Sequence, residues 1–227
     1  MALSDTWGTP PEREPAGAVA YRLMRSAILG GRIPQGARIN ELALADAWKM
    51  SRTPIRDALR RLEGEGLVEA VPRRGMRVRR LQPADVEDLY EVGEALEGVA
   101  ARRAAERGTG AFLADLNGLI KSYGTALKQG DFDRILAVDE ELHRTIARRA
   151  QNLHLERAIE TVRAQLRGVH HQLIQSRGRA TKSFRELAKM IAAIRRRDPA
   201  HAEAAMREHL VSLRADAGLL PPEERDE

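Results

Sequence analysis

SRTPIRDALRRLEGEGLV, from Ser51 to Val68, sets four arginines between a serine and two glycines. Ser51 is a good helix N-cap, because its hydroxyl can accept a backbone N–H of the first turn. Pro54 falls inside that turn, where its missing N–H costs little. Ile55, Ala58, Leu59 and Leu62 recur at helical spacing as an apolar stripe. Thr53, Arg56, Asp57 and Arg60 point elsewhere, and Gly64 and Gly66 end the run. The prediction is a helix of about three turns with one face for a core and one basic face.

What flanks this helix gives the basic face a meaning. Upstream, Ala16 to Leu29 carries Val19, Leu23, Ala27 and Ile28 near helical spacing and stops at Gly30-Gly31. Asn40 can cap a second helix running to about Trp48, with Leu42, Leu44 and Ala45 as its apolar positions. Downstream, LVEAV and MRVRRL surround Pro72-Arg73-Arg74-Gly75 and read as a hairpin. The order helix, helix, helix, hairpin is that of a winged helix-turn-helix. Its second motif helix enters the DNA major groove with its N-terminal residues toward base edges. Ser51, Arg52, Thr53, Arg56 and Arg60 hold that place. Arg73, Arg74, Arg77, Arg79 and Arg80 would form a basic wing beside it, turned at Gly75.

Charge along the chain agrees. Residues 1–80 hold 15 Lys+Arg against 9 Asp+Glu, and the remainder holds 23 against 24, so the positive balance belongs to the first third. That asymmetry points to an N-terminal module for a polyanion. The 227 residues suffice for two small domains with real cores. The absence of cysteine excludes disulfides, thiolate metal sites and cysteine nucleophiles, and fits a reducing cytoplasm. No apolar run reaches the roughly 18 residues of a transmembrane helix. Residues 1–15 have no apolar signal core and read as a disordered leader. Aromatics make up only 4% of the chain, which argues against a base-stacking RNA platform.

The segment AILGGRIPQGARINELALADAWKMSRTPIRDALRRLEGEGLVEAVPRRGMRVRRL resembles the winged-helix domain of the GntR family of bacterial transcription regulators. The resemblance runs over residues 16–81. It implies DNA contacts from Arg52, Thr53 and Arg56, with Arg74 and Gly75 at the wing tip. Lys49 stands in the turn where the family often has glycine, and a lysine costs more than a glycine at positive φ.

Beyond the Gln82-Pro83 boundary, six helical segments follow near 83–107, 111–129, 131–150, 153–176, 180–197 and 199–217. The helical domain is expected over 83–219, with residues 220–227 as a flexible tail. DVEDLYEVGEALEGVAARRAA, DRILAVDEELHRTIARRAQN and HAEAAMREHLVSLRA resemble the FCD effector domain of the FadR branch of that family. The fold class expected is therefore mainly α, a winged helix followed by an all-helical effector and dimerisation domain.

Members of that branch often bind a divalent metal through one Asp and three His beneath a pocket for a small carboxylate. Asp139 and His143 lie four apart in DEELH and so share a helix face. Carboxylate and imidazole suit ions such as Zn, Ni or Mn. His209, in REHL, matches the last family histidine, whereas Leu187 occupies the remaining position. The arginine that the family places before Leu-Glu is Gly93 here, ahead of Leu96-Glu97. Glu97 and Asn152 are the expected pocket residues. Three readings follow for this domain: a three-residue metal site completed by water, His170 or His171; a metal-free pocket for an organic ligand; or a dimerisation module. The adjacent rings of His170 and His171 cannot both face one side of a helix.

The resemblance implies a homodimeric regulator, most often a repressor, that reads palindromic double-stranded DNA and senses a small organic acid. A metal-dependent hydrolase on Asp139, His143 and His209 is the enzymatic alternative. A Gly-rich phosphate loop, a GxSxG elbow and an HExxH pair are all missing from the sequence.

Overall fold

A computed structural model describes residues 14–219. The expected flexible tail lies outside them, as does all of the leader except Glu14 and Pro15. The chain divides between Arg80 and Leu81 into two compact units.

The first unit holds α1 (Ala16–Leu29), β1 (Arg38–Ile39), α2 (Glu41–Trp48), α3 (Arg52–Gly64), β2 (Val68–Val71) and β3 (Gly75–Val78). The stripe of α3 behaves as its spacing predicts, and Ile55, Ala58, Leu59 and Leu62 are all buried. On α1 the inward face is turned by one residue from the expected one. Ala20 and Met24 are buried, while Leu23 is exposed. Leu42, expected in the core, is 63% exposed on α2. The Asn40 cap is present, its carboxamide accepting from the backbone N–H of Leu42 and Ala43. Lys49 ends α2 in the left-handed region at φ 51, the conformation that favours glycine.

Ser51 stands at the N-cap of α3, but its hydroxyl makes no capping hydrogen bond. The reason is in the next residues. The third position of the helix is Pro54, which has no N–H to donate. The hairpin pairs Val68 with Val78 and Val71 with Gly75. Its turn places Pro72 ahead of Arg73 at φ 62 and closes with Arg74 N–H on the Val71 carbonyl at 2.9 Å. Pro followed by a positive φ is the order of a type II turn. The sheet has a third strand that the sequence did not signal: β1 pairs antiparallel with β3 in the order β1-β3-β2. Two residues are too few to show an alternating pattern.

Among the described residues the second unit has six helices: α4 (Pro83–Glu106), α5 (Gly110–Gln129), α6 (Phe132–Arg149), α7 (Leu153–Ile174), α8 (Arg177–Arg195) and α9 (Pro199–Ala217). Local signals set their starts. Asp85 accepts the Gln82 N–H ahead of Pro83 in the first position, and Thr109, Asp131, Asn152 and Asp198 cap α5, α6, α7 and α9. The main core gathers Leu116, Tyr123, Ile135, Leu142, Leu187 and Met190 with an alanine face of α4. A second core joins Tyr90, Val162, Leu166, Leu210 and Leu213. Gly98 lets α9 close on α4, since a Cβ there would stand 3.0 Å from Arg207 Cγ.

Candidate metal centre and nucleic-acid interface

The α3 face presents Arg52, Thr53, Arg56 and Arg60 to solvent. Two of these cations share one carboxylate. Glu41, the first residue of α2, accepts from Arg56 Nε at 2.9 Å and Arg52 Nη2 at 3.2 Å. The Arg56 hydrogen bond, the Arg52 bond and both positive charges outweigh its partial burial and hold the Glu41 carboxyl below the usual range. Arg60 lies 3.9 Å from Asp57. At the wing, Arg73, Arg74 and Gly75 are exposed, and Arg77 pairs with Glu69 at 2.5 Å.

In the helical unit, Asp139 and His143 come from α6 and His209 from α9. Their ligand atoms lie within 4.8 Å of one another, and all three residues are buried. Leu187 of α8 is fully buried in the main core. Asp139 Oδ1, His143 Nε2 and His209 Nε2 are buried without a hydrogen-bond partner among the described residues. A buried polar atom left unpaired costs about 1–3 kcal/mol. Three in one cluster, on residue types that ligate cations, fit a metal ion. They also form the donor set of a three-residue site with open positions.

The remaining polar atoms of the cluster are taken. His143 Nδ1 pairs with Glu97, and His209 Nδ1 pairs with Glu186 at 2.7 Å. Arg163 of α7 spans Asp139 at 3.0 Å and Glu97 at 3.3 Å. His170 Nε2 lies 3.0 Å from Asp139 Oδ2. Burial would raise the Asp139 carboxyl, but the His170, His143 and Arg163 partners reverse it and hold it well below its ordinary range. Glu97 is likewise lowered against burial, through His143 and Arg163. Burial pushes the His209 imidazole down, toward the neutral form that binds metals. The hydroxyl of Tyr90 is also buried with no hydrogen-bond partner among the described residues, and burial raises its pKa.

The sequence therefore brings Asp139, His143, His209 and Glu97 together, and their spacing on α6 was the signal. Asn152 is placed elsewhere in role. Its carboxamide accepts from His154 and Leu155 N–H as the cap of α7, so it is committed to the helix start. His170 is buried on Asp139, and its neighbour His171 is half-buried. Arg163, Glu186 and Arg179 were missed. Only one cue pointed to Arg163: it precedes His170 by seven residues, two turns along the same face.

A winged helix with an arginine face, followed in one chain by a helical unit with a buried Asp-His-His cluster, defines a two-domain helix-turn-helix transcription regulator. The family model of bacterial regulatory proteins, gntR family, matches residues 17–78, and the FCD domain model matches residues 88–212. The chain belongs to the GntR family of transcription regulators, with a C-terminal FCD domain. That family regulates transcription rather than catalysing reactions, which replaces the hydrolase alternative. An uncharacterised HTH-type regulator of Agrobacterium vitis is 36% identical over 132 residues, 57% of this chain and 77% of that one. A probable D-xylose utilization operon repressor of Paenarthrobacter nicotinovorans is 34% identical over 131 residues, covering 58% of each chain. The repressor RspR of Escherichia coli K12 is 24% identical over 213 residues, 94% of this chain and 93% of that one. The solved structure of E. coli McbR/YncC shares the fold at a TM-score of 0.75 and 21% identity, over 88% of this chain and 95% of that one. Among the described residues no helix is long and apolar enough to cross a membrane.

Proposed function

We propose that this regulator binds a palindromic DNA operator as a homodimer and acts as a repressor released by a small organic acid. The single observation that carries the DNA half is the exposed row Arg52, Thr53 and Arg56 at the start of α3. Arginine can donate two hydrogen bonds to guanine, worth roughly 1–3 kcal/mol of discrimination each. Arg60, Arg73 and Arg74 add salt-sensitive attraction to phosphates, with the free Ser51 hydroxyl and Gly75 backbone close to them in sequence. The test is footprinting on a duplex selected from random sequence. Arg52→Ala with Arg56→Ala abolishes the palindromic footprint and leaves helicity and oligomeric state unchanged. Normal binding by the double variant would sink the recognition-helix assignment.

The sensing half rests on the three unpaired atoms of Asp139, His143 and His209. These residues would hold a divalent ion such as Zn, Ni or Mn, which supplies positive charge for an anionic ligand. Arg163 supports the same ligand class by bringing a second positive charge to the cluster. Elemental analysis of untagged protein purified without chelator reads the metal directly. About one ion per protomer is expected from the one such cluster among the described residues. None after addition of Zn, Ni or Mn would leave a metal-free pocket.

A further inference from the structure

Each histidine of the cluster is backed in the same way. His143 pairs through Nδ1 with Glu97, and Arg163 holds Glu97. His209 pairs through Nδ1 with Glu186, and Arg179 holds Glu186. The four supporting residues come from α4, α7 and α8, and both imidazoles are left with a bare Nε2. A carboxylate accepts and cannot donate when ionised, so it requires the proton on Nδ1. In the neutral ring the lone pair then lies on Nε2, the atom left without a hydrogen-bond partner among the described residues in both rings.

The Arg179 arm is the more telling, because it has no other evident work at the cluster. Its guanidinium is buried and all five N–H donors are used. Nε reaches Ser183 at 3.2 Å, and Nη1 reaches Ser212 at 2.7 Å and Asp216 at 2.5 Å. Nη2 reaches Ser183 at 2.9 Å and Glu186. The Glu186 oxygen it holds, Oε2, is the one that meets His209. A glutamate with a partly exposed side chain is thereby denied other rotamers.

We infer that Glu97 with Arg163, and Glu186 with Arg179, are positioning pairs that lock His143 and His209 as Nδ1–H tautomers with Nε2 ready to ligate a cation. This rests on the metal reading above for its purpose, but not for its geometry. It also gives Glu97 a different part from an effector contact, since its two oxygens are engaged by His143 and Arg163. Outer partners of ligating histidines commonly govern metal affinity by 10–100-fold.

The test has two arms on the full-length protein. Nitrogen-15 NMR of the imidazoles in metal-free protein reads the tautomers, and both rings are expected to carry the proton on Nδ1. An Nε2–H tautomer at either ring would overturn the inference for that ring. Zinc titration calorimetry reads affinity. Glu186→Gln and Glu97→Gln should each weaken zinc about 10–100-fold. Arg179→Lys, which keeps the charge but cannot make five contacts, should weaken it by about tenfold at unchanged helicity. Glutamine can donate as well as accept, so Glu186→Gln should also mix the His209 tautomers. Unchanged zinc affinity with an unmixed tautomer would refute the positioning role. Failure of the wild type to bind zinc would instead remove the metal reading, and the tautomer arm would still decide this one.

Discussion

Leu187 is the residue on which the helical unit turns. It fills, with an apolar side chain, the place where the family resemblance puts a third histidine. Leu187→His is expected to tighten zinc binding by at least about tenfold, because a fourth protein ligand completes a tetrahedral set. The same change should lower the melting temperature of metal-free protein, since an imidazole replaces a fully buried leucine of the main core. Calorimetry with zinc and a melt in chelator check the two effects separately. At this scale the sequence was half legible. Asp139 and His143 announce themselves by a four-residue spacing, and His209 by its motif. Arg163, Arg179 and Glu186 do not, because a charged residue on a helix ordinarily marks a solvent face. Only the packing of α7, α8 and α9 turns these three inward.

Among elements, α2 and its exit are the least regular part of the winged helix. Lys49 holds a left-handed conformation that costs a non-glycine residue roughly 1 kcal/mol. Lys49→Gly is expected to stabilise the winged-helix unit by about that amount, read as slower native-state hydrogen exchange in α2 and α3. Faster exchange would mean that the lysine side chain supplies more than the backbone loses. Helix starts were legible where a cap makes its hydrogen bond, as at Asn40, whereas Ser51 and Ser176 make none and the helix after Ser176 begins at Arg177, ahead of the expected 180. What failed was rotation about the helix axis. On α1, Val19 and Leu23 fit the helical period, yet Ala20 and Met24 are buried. A small residue adjacent to a larger apolar one can take the inward place wherever a neighbouring helix comes close.

At the scale of the whole molecule, the helical unit carries a definite pH dependence. The His209 imidazole is depressed by burial from its ordinary 6.5, so the folded state resists a proton that the unfolded state accepts. Stability from this group is present above about pH 6.5 and falls as pH drops through the folded value. Asp139 and Glu97 are depressed by their histidine and Arg163 partners, which outweigh burial, so their contribution is lost only below the ordinary carboxylate range. All three have the same sign. Denaturant melts of metal-free protein should therefore show stability declining in two stages, one below about pH 6.5 and one below about pH 4. Stability rising between pH 7 and 5 would contradict the buried neutral state of His209. The basic excess of residues 1–80 lies in the first unit, and the balance of the remainder is close to neutral.

The shared carboxylate of Glu41 carries a consequence for how such a regulator can change its preferences over time. Arg52 and Arg56 are tied to one acceptor, so losing either cation redistributes that acceptor to the other. If both face the operator as proposed, their contributions will not sum, and a substitution at position 41 will be felt at both. A lineage drifting toward a new operator cannot then adjust the three positions one at a time without passing through altered intermediates. A change at residue 41, 52 or 56 resets the hydrogen bonding of the other two.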